Sequence, residues 1–152
     1  MMADLEALED WVSPLLQRIE PAERSRLARS VAQELRRSQQ RRITAQQNPD
    51  GSAYAPRKPR HLRGKKGRIR AKLKMFQKLR TATFMKARGD ANAATVGFTG
   101  RIARIARVHQ EGLRDRAARN APAVQYDERG LLGLTDAELD QIRDTLLAHL
   151  TL

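Results

Sequence analysis

Between Gly51 and Gly89 the chain carries fourteen Lys or Arg residues and no Asp or Glu. Outside that span sixteen basic residues face seventeen acidic ones, so the net charge of +13 belongs to one segment. Like charges at this density repel one another unless a polyanion or an acidic protein surface neutralises them. The first part of the span, to about Gly67, holds Pro56, Pro59, Gly51, Gly64 and Gly67, with Tyr54 as its one aromatic. Such a stretch reads as loop that nucleates no core, so the fold must be assembled from what lies on either side.

A chain of 152 residues is the size of one ordinary domain, and 1–152 is read as one. It divides into a helical part over 4–47, a basic loop or arm over 48–68 and an α+β body over 69–152. Aromatic residues make up 4 % of the chain, so Leu, Ile, Val and Ala must form the core, which suits helices on a small sheet. There is no cysteine, which excludes disulfides, thiolate zinc sites and cysteine nucleophiles. Asp4 and Glu6 stand where a signal peptide needs basic residues, and no run approaches the length of a membrane span. The expected place of synthesis and residence is therefore a cytoplasm, unless an assembly carries the protein out, with no membrane partner.

Leu5, Leu8, Val12, Leu15, Leu16 and Ile19 recur at helical spacing, predicting a helix over 4–19 that Pro14 kinks or interrupts, with Ser13 as the cap of a second. A long helix is predicted from Pro21 to Gln47, with Leu27, Val31 and Leu35 inward and Arg24, Arg29, Gln33, Arg36, Arg37 and Gln40 on a solvated face. It must stop at Asn48-Pro49-Asp50-Gly51. Helical character returns over Ile69–Leu79. A hairpin follows, with strands at Ala82–Lys86 and Ala94–Phe98 joined through Gly89–Asn92. Arg101–Gln110 reads as a short helix with Arg101, Arg104 and Arg107 on one stripe and Ile102, Ile105 and Val108 beside it, closed by Gly112. Arg114–Asn120 is polar and exposed, and Val124–Tyr126 is a third strand. Thr135 and Glu138 form a capping box for a final helix over 136–150, with Leu134 and Leu139 as its staple. The expected fold is α+β: a small antiparallel sheet, hairpin plus third strand, packed with long N-terminal helices and a C-terminal helix, with a long basic loop.

His61, His109 and His149 lack partners at metal-ligand spacing, and no phosphate loop, nucleophile elbow or paired carboxylate set is present. No cofactor, metal or catalytic residue is assigned, and no enzyme is expected; His109 reads as a structural hydrogen-bonding residue. The basic span supports two readings. It is a nucleic-acid-binding segment using residues 57–88, or a docking arm neutralised by acidic surfaces of neighbouring subunits. Single-strand binding by stacking is disfavoured, because Tyr54, Phe76 and Phe84 are the only aromatics there.

Three motifs occur in order: Asn48-Pro49-Asp50-Gly51, Ile105-Ala106-x-x-His109-Gln110-x-Gly112 and Arg129-x-Leu131-Leu132-Gly133-Leu134. With them the chain resembles the phage virion morphogenesis family, the tail completion proteins of contractile-tailed, Mu-like and related temperate phages. Members of that family typically place an aromatic, often Trp, shortly after the Pro-Asp-Gly, where this chain has Tyr54. The resemblance implies a non-enzymatic structural protein of a virion or tail-like particle, made in the host bacterial cytoplasm. It would form a ring, commonly sixfold, at the head-proximal tail end and enable head–tail joining. Partners would be other copies of itself, the tail tube, and terminator or neck proteins, with DNA passing nearby in the tail channel. On that picture the assembly arm comprises Asn48, Pro49, Asp50, Gly51, Tyr54, Arg57, Lys58, Arg60, Arg63, Lys65, Lys66, Arg68 and Arg70. Arg101, Arg104, Arg107, His109 and Gln110 would supply further contacts, and Ile102, Ile105 and Val108 would hold the short helix to the sheet.

Overall fold

The computed structural model describes residues 2–57, 74–116 and 118–150. Within them lie helices α1 (Met2–Leu16), α2 (Pro21–Thr44), α3 (Arg101–Glu111) and α4 (Asp136–Leu150). The strands are β1 (Met85–Gly89), β2 (Ala94–Phe98), β3 (Arg114–Arg116) and β4 (Ala123–Gln125). The arrangement is α+β, but the third strand does not extend the hairpin. β1 pairs with β2, β4 pairs with β3, and these are two separate antiparallel sheets. The Arg114–Asn120 stretch, read as polar and exposed, thus supplies a strand at Arg114–Arg116. Gly112, left-handed at φ 62°, caps α3 and leads into β3, which meets β4 with Arg114 opposite Gln125.

Two apolar clusters form the interior. Leu8 and Val12 of α1, Leu27 and Val31 of α2, and Leu139 and Leu146 of α4 make a three-helix cluster at one end. Ile43, Tyr54, Leu79, Met85, Ala106 and Leu131 make the second, where α2, the hairpin and α3 meet. α2 spans both, which is why its inward stripe runs its whole length. β1 ends against α2 so closely that a Cβ on Gly89 would lie 2.3 Å from the Arg29 backbone nitrogen, a spacing only glycine allows.

Several boundaries differ from the sequence expectations for local reasons. Pro14 starts no second helix. It removes one hydrogen bond in the last turn, α1 runs on to Leu16, and 3₁₀-type bonds from Arg18 and Ile19 close it. α2 ends at Thr44, before Asn48, because Gln46 turns left-handed at φ 58°. Gln46 N–H then bonds Ile43 O and Gln47 N–H bonds Arg42 O, a Schellman pair with glutamine in the usual glycine position. Residues 75–79, expected to be helical, form turns, with Phe76 at φ 65°. Those turns delay the first strand to Met85, and Asp90 Oδ1 accepts from Asn92 and Ala93 N–H to shape the hairpin turn. The part of that expected helix before Lys74, with most of the basic loop, lies outside the described residues. No described helix is long and apolar enough to cross a membrane.

The final helix matches its sequence reading. Glu138 N–H donates to Thr135 Oγ1 (3.1 Å), and Thr135 N–H donates to Glu138 Oε2 (2.9 Å). The other oxygen of Glu138 has a task the capping signal does not announce. It accepts from Arg42 Nη1 (2.7 Å), Ser38 Oγ (2.7 Å) and Gln39 Nε2 (3.2 Å), pinning α4 to α2. Removing a partner from a buried ion pair costs about 3–5 kcal/mol, whereas losing a cap costs about 1 kcal/mol. Glu138→Ala should therefore lower unfolding free energy several times more than Thr135→Ala in urea titrations. Equal losses would mean that Glu138 acts as a cap alone.

Candidate functional site

The residues entering and leaving the basic segment are built into the second cluster rather than hanging from it. Asn48 N–H bonds Ser52 O (2.8 Å), Gly51 N–H bonds Asn48 O (2.9 Å) and Gly51 takes φ 88°, so residues 47–53 close a tight hairpin. Asp50 accepts from Ser52, which holds its carboxyl below the usual carboxylate range. This returns Tyr54 to the core, contrary to the loop reading of 48–67. Its ring is buried, its hydroxyl donates to Gly130 O (3.0 Å), and burial pushes its pKa up to about 12.

Pro49 is the centre of the junction. Its ring lies against Gly130 and Gly133, where an added Cβ would come within 2.5 Å of it, so both positions must be glycine for the turn to seat. Asn48 Oδ1 accepts from Gly130 N–H (2.8 Å). From α3, Gln110 Oε1 accepts from Leu131 N–H (2.8 Å) and Leu132 N–H (2.9 Å), and its amide donates to Leu132 O (3.0 Å). Gln39 completes the frame from α2, donating to Gly133 O (2.8 Å) and accepting from Gly133 N–H (3.2 Å). The loop 129–134 is irregular backbone in a buried place, and these amides supply the hydrogen bonds a ladder would otherwise supply.

Two clamps fix the points where the chain leaves and rejoins the described body. Arg129, itself buried, donates through Nε to Ala55 O (2.8 Å) and through Nη2 to Pro56 O (3.0 Å). Desolvation lowers its pKa, opposed by Asp127 at 3.8 Å. On the return side, Gln46 accepts from Met75 N–H (2.8 Å) and donates to Met75 O (2.9 Å). Residues 58–73 are thus bracketed by fastened ends.

Of the expected contact residues, Asn48, Pro49, Gly51 and Tyr54 meet in this junction and Arg57 is exposed just beyond it. Lys58, Arg60, Arg63, Lys65, Lys66, Arg68 and Arg70 lie outside the described residues. Gln110 faces inward, and Arg101 is exposed. Arg104 pairs with Asp115 and Arg107 with Glu111 at 3.2 Å, both at the surface. Arg101, Arg104 and Arg107 all face water, but the apolar stripe beside them is incomplete: Ile102 packs on the second cluster and Val108 is buried, whereas Ile105 is exposed. Ala106 and Val108, two residues apart, are buried on different sides of α3. His109 stacks edge-on between Phe76 and Tyr126, with centroids 4.9 Å away on each side, and its backbone carbonyl accepts from Arg129 N–H (2.8 Å). Its ring Nδ1 is buried without a hydrogen-bond partner among the described residues, so the expected side-chain bond is replaced by ring packing. Gln39 and Arg42 had no local signal and Arg129 stood only as the first residue of the third motif; Gly130 and Gly133, three apart around two leucines, were the nearest hint of a close approach.

Gln110→Leu would strand two backbone N–H groups and a carbonyl, each worth about 1–3 kcal/mol when buried unpaired, and should cost roughly 2–4 kcal/mol in denaturant titrations. Burial first, and Arg129 second, lower the His109 pKa below 6.5. The unfolded chain therefore binds the proton more readily, so stability is full above pH 6.5 and falls as pH drops below it. His109→Phe keeps the ring packing and should flatten the thermal midpoint between about pH 7 and pH 5 relative to the parent.

Comparison with known proteins gives this junction a context. The phage virion morphogenesis family matches residues 3–151. The chain is 39 % identical over 150 residues to tail completion protein S of Escherichia phage P2, covering 98 % of this chain and 99 % of that protein. No solved structure matches. The three motifs meet around Pro49 in space as they follow one another in the sequence, and with a match from end to end the chain belongs to the phage virion morphogenesis family.

Proposed function

We propose that this protein completes a phage tail, acting as a non-catalytic structural subunit. In this reading it forms a ring at the head-proximal end of the tail and makes the tail competent to join a head. Its partners are its own copies and the tube, terminator or neck proteins. It assembles in the host cytoplasm and remains in the virion. The observation that carries the reading is the relationship to a tail completion protein, 39 % identical over 150 residues.

The geometry adds a means. Arg129 and Gln46 hold the two ends of residues 58–73, which contain eight Lys or Arg and no acid, so a charge-dense segment is rooted in a well-packed body. A fixed root limits the directions in which the segment can be offered and lowers the entropy lost when it docks. The same charge is the sole support for binding nucleic acid instead.

Replacing 58–73 by a Gly/Ser linker of equal length should leave the thermal midpoint unchanged. It should abolish complementation of a phage lacking its own tail completion protein, with unjoined tails visible by electron microscopy. Normal plaque yield would rule out an arm function. Duplex DNA binding that is lost with the segment and falls steeply between about 50 and 200 mM salt would favour the nucleic-acid reading.

A further inference from the structure

The charge outside the basic segment is not evenly spread. α1 carries Asp4, Glu6, Glu9 and Asp10, all exposed, and has no Lys or Arg between Met2 and Leu16. Beside α3, the β3–β4 hairpin forms an open groove of about 650 Å³ lined by Arg104, Arg114, Arg116 and Arg119, with Asp115 its single acid. Asp115 is already engaged by Arg104, so Arg114, Arg116 and Arg119 supply the groove's excess positive charge.

Each surface also carries large apolar side chains left in water. Trp11, the chain's one tryptophan, is 42 % exposed on α1. Ile105, next to Arg104 on α3, is 43 % exposed, and Leu113, next to Arg114, is 37 % exposed. Among the described residues only Leu147 joins them as an exposed large hydrophobic. Trp11 follows Asp4 by seven residues and Asp10 follows Glu6 by four, so helical geometry sets the indole with Asp4 on one face of α1 and Glu6 with Asp10 on another. An acidic helix with a tryptophan and a basic groove with flanking aliphatics are complementary in charge and in apolar content.

We propose that α1 of one subunit docks in the α3/β3–β4 groove of the next, its carboxylates meeting Arg114, Arg116 and Arg119. Trp11 serves as the anchor of that contact. The inference rests on the ring reading above and specifies its interface. Two different patches of one chain meet head to tail, the geometry that closes into a ring when the rotation per subunit permits. Tryptophan and arginine are the residue types that most often dominate interface energetics, and an indole can stack on a guanidinium.

Charge reversal tests it. Arg114→Glu, Arg116→Glu and Arg119→Glu together, or Glu6→Arg, Glu9→Arg and Asp10→Arg together, should each weaken self-association by roughly ten-fold or more in sedimentation velocity. Mixing the two reversed proteins should restore assembly through alternating subunits, and Trp11 fluorescence should shift to the blue only where assembly occurs. Association as strong as the parent's in either reversed protein, or no restoration on mixing, would overturn the contact while leaving the ring standing. A parent chain that stays monomeric in solution and on the tail would remove the ring and the contact together. Loss of duplex DNA binding on reversing the groove, with association unaffected, would make the groove a nucleic-acid surface and overturn the proposal.

Discussion

The buried carboxylate of Glu138 is the constraint on which the arrangement of the helices depends. An acid taken out of water must be surrounded by donors, and here they come from Arg42, Ser38 and Gln39 on α2 and from the Thr135 backbone. Those donors leave α4 one register against α2. Gln39, held by the same cluster, reaches on to both backbone groups of Gly133, so the position of the final helix also sets the position of the loop before it. A hydrophobic stripe alone would let α4 slide or rotate by a few degrees at little cost; a ring of directional bonds does not.

From Gly133 the constraint passes to the junction around Pro49. Two glycines receive the proline ring, Asn48 and Gln110 satisfy the backbone of 130–132, and Tyr54 closes the pocket with its hydroxyl on Gly130. The result is a rigid base made from three segments far apart in sequence. Repulsion among the like charges of residues 58–73 acts on whatever holds their ends. Arg129 and Gln46 are what hold them.

The distribution of surface charge follows from this plan. The interior and its polar nodes consume few ionic groups, so most charged side chains remain at the surface, where their grouping rather than their number determines what they meet. Acidic α1 and the arginine groove beside α3 are such groupings, and both keep apolar side chains within reach. Exposed ion pairs contribute little by themselves, so the aromatic and aliphatic residues decide whether an encounter becomes a contact.

Local chemistry determined much of this protein from its sequence. The periodic leucines, Pro21, Gly112, and the Thr135/Glu138 box specify four helices, because capping and amphipathic period act within one or two turns and need no distant partner. The α+β class followed from the strand alternation at Ala94–Phe98. Boundaries failed where a residue entered a conformation its type does not favour: Gln46 and Phe76 are left-handed against their own preference, held by Met75 and by aromatic packing. Tertiary structure alone decided that Tyr54 is buried, that Arg129 and Gln46 are clamps, that Ile105 faces water and that β4 finds β3 instead of the hairpin. The burial of Tyr54 and the two clamps depend on partners twenty or more residues away, and the β3–β4 pairing on the reversal between those two strands. Only the folded chain brings such partners together.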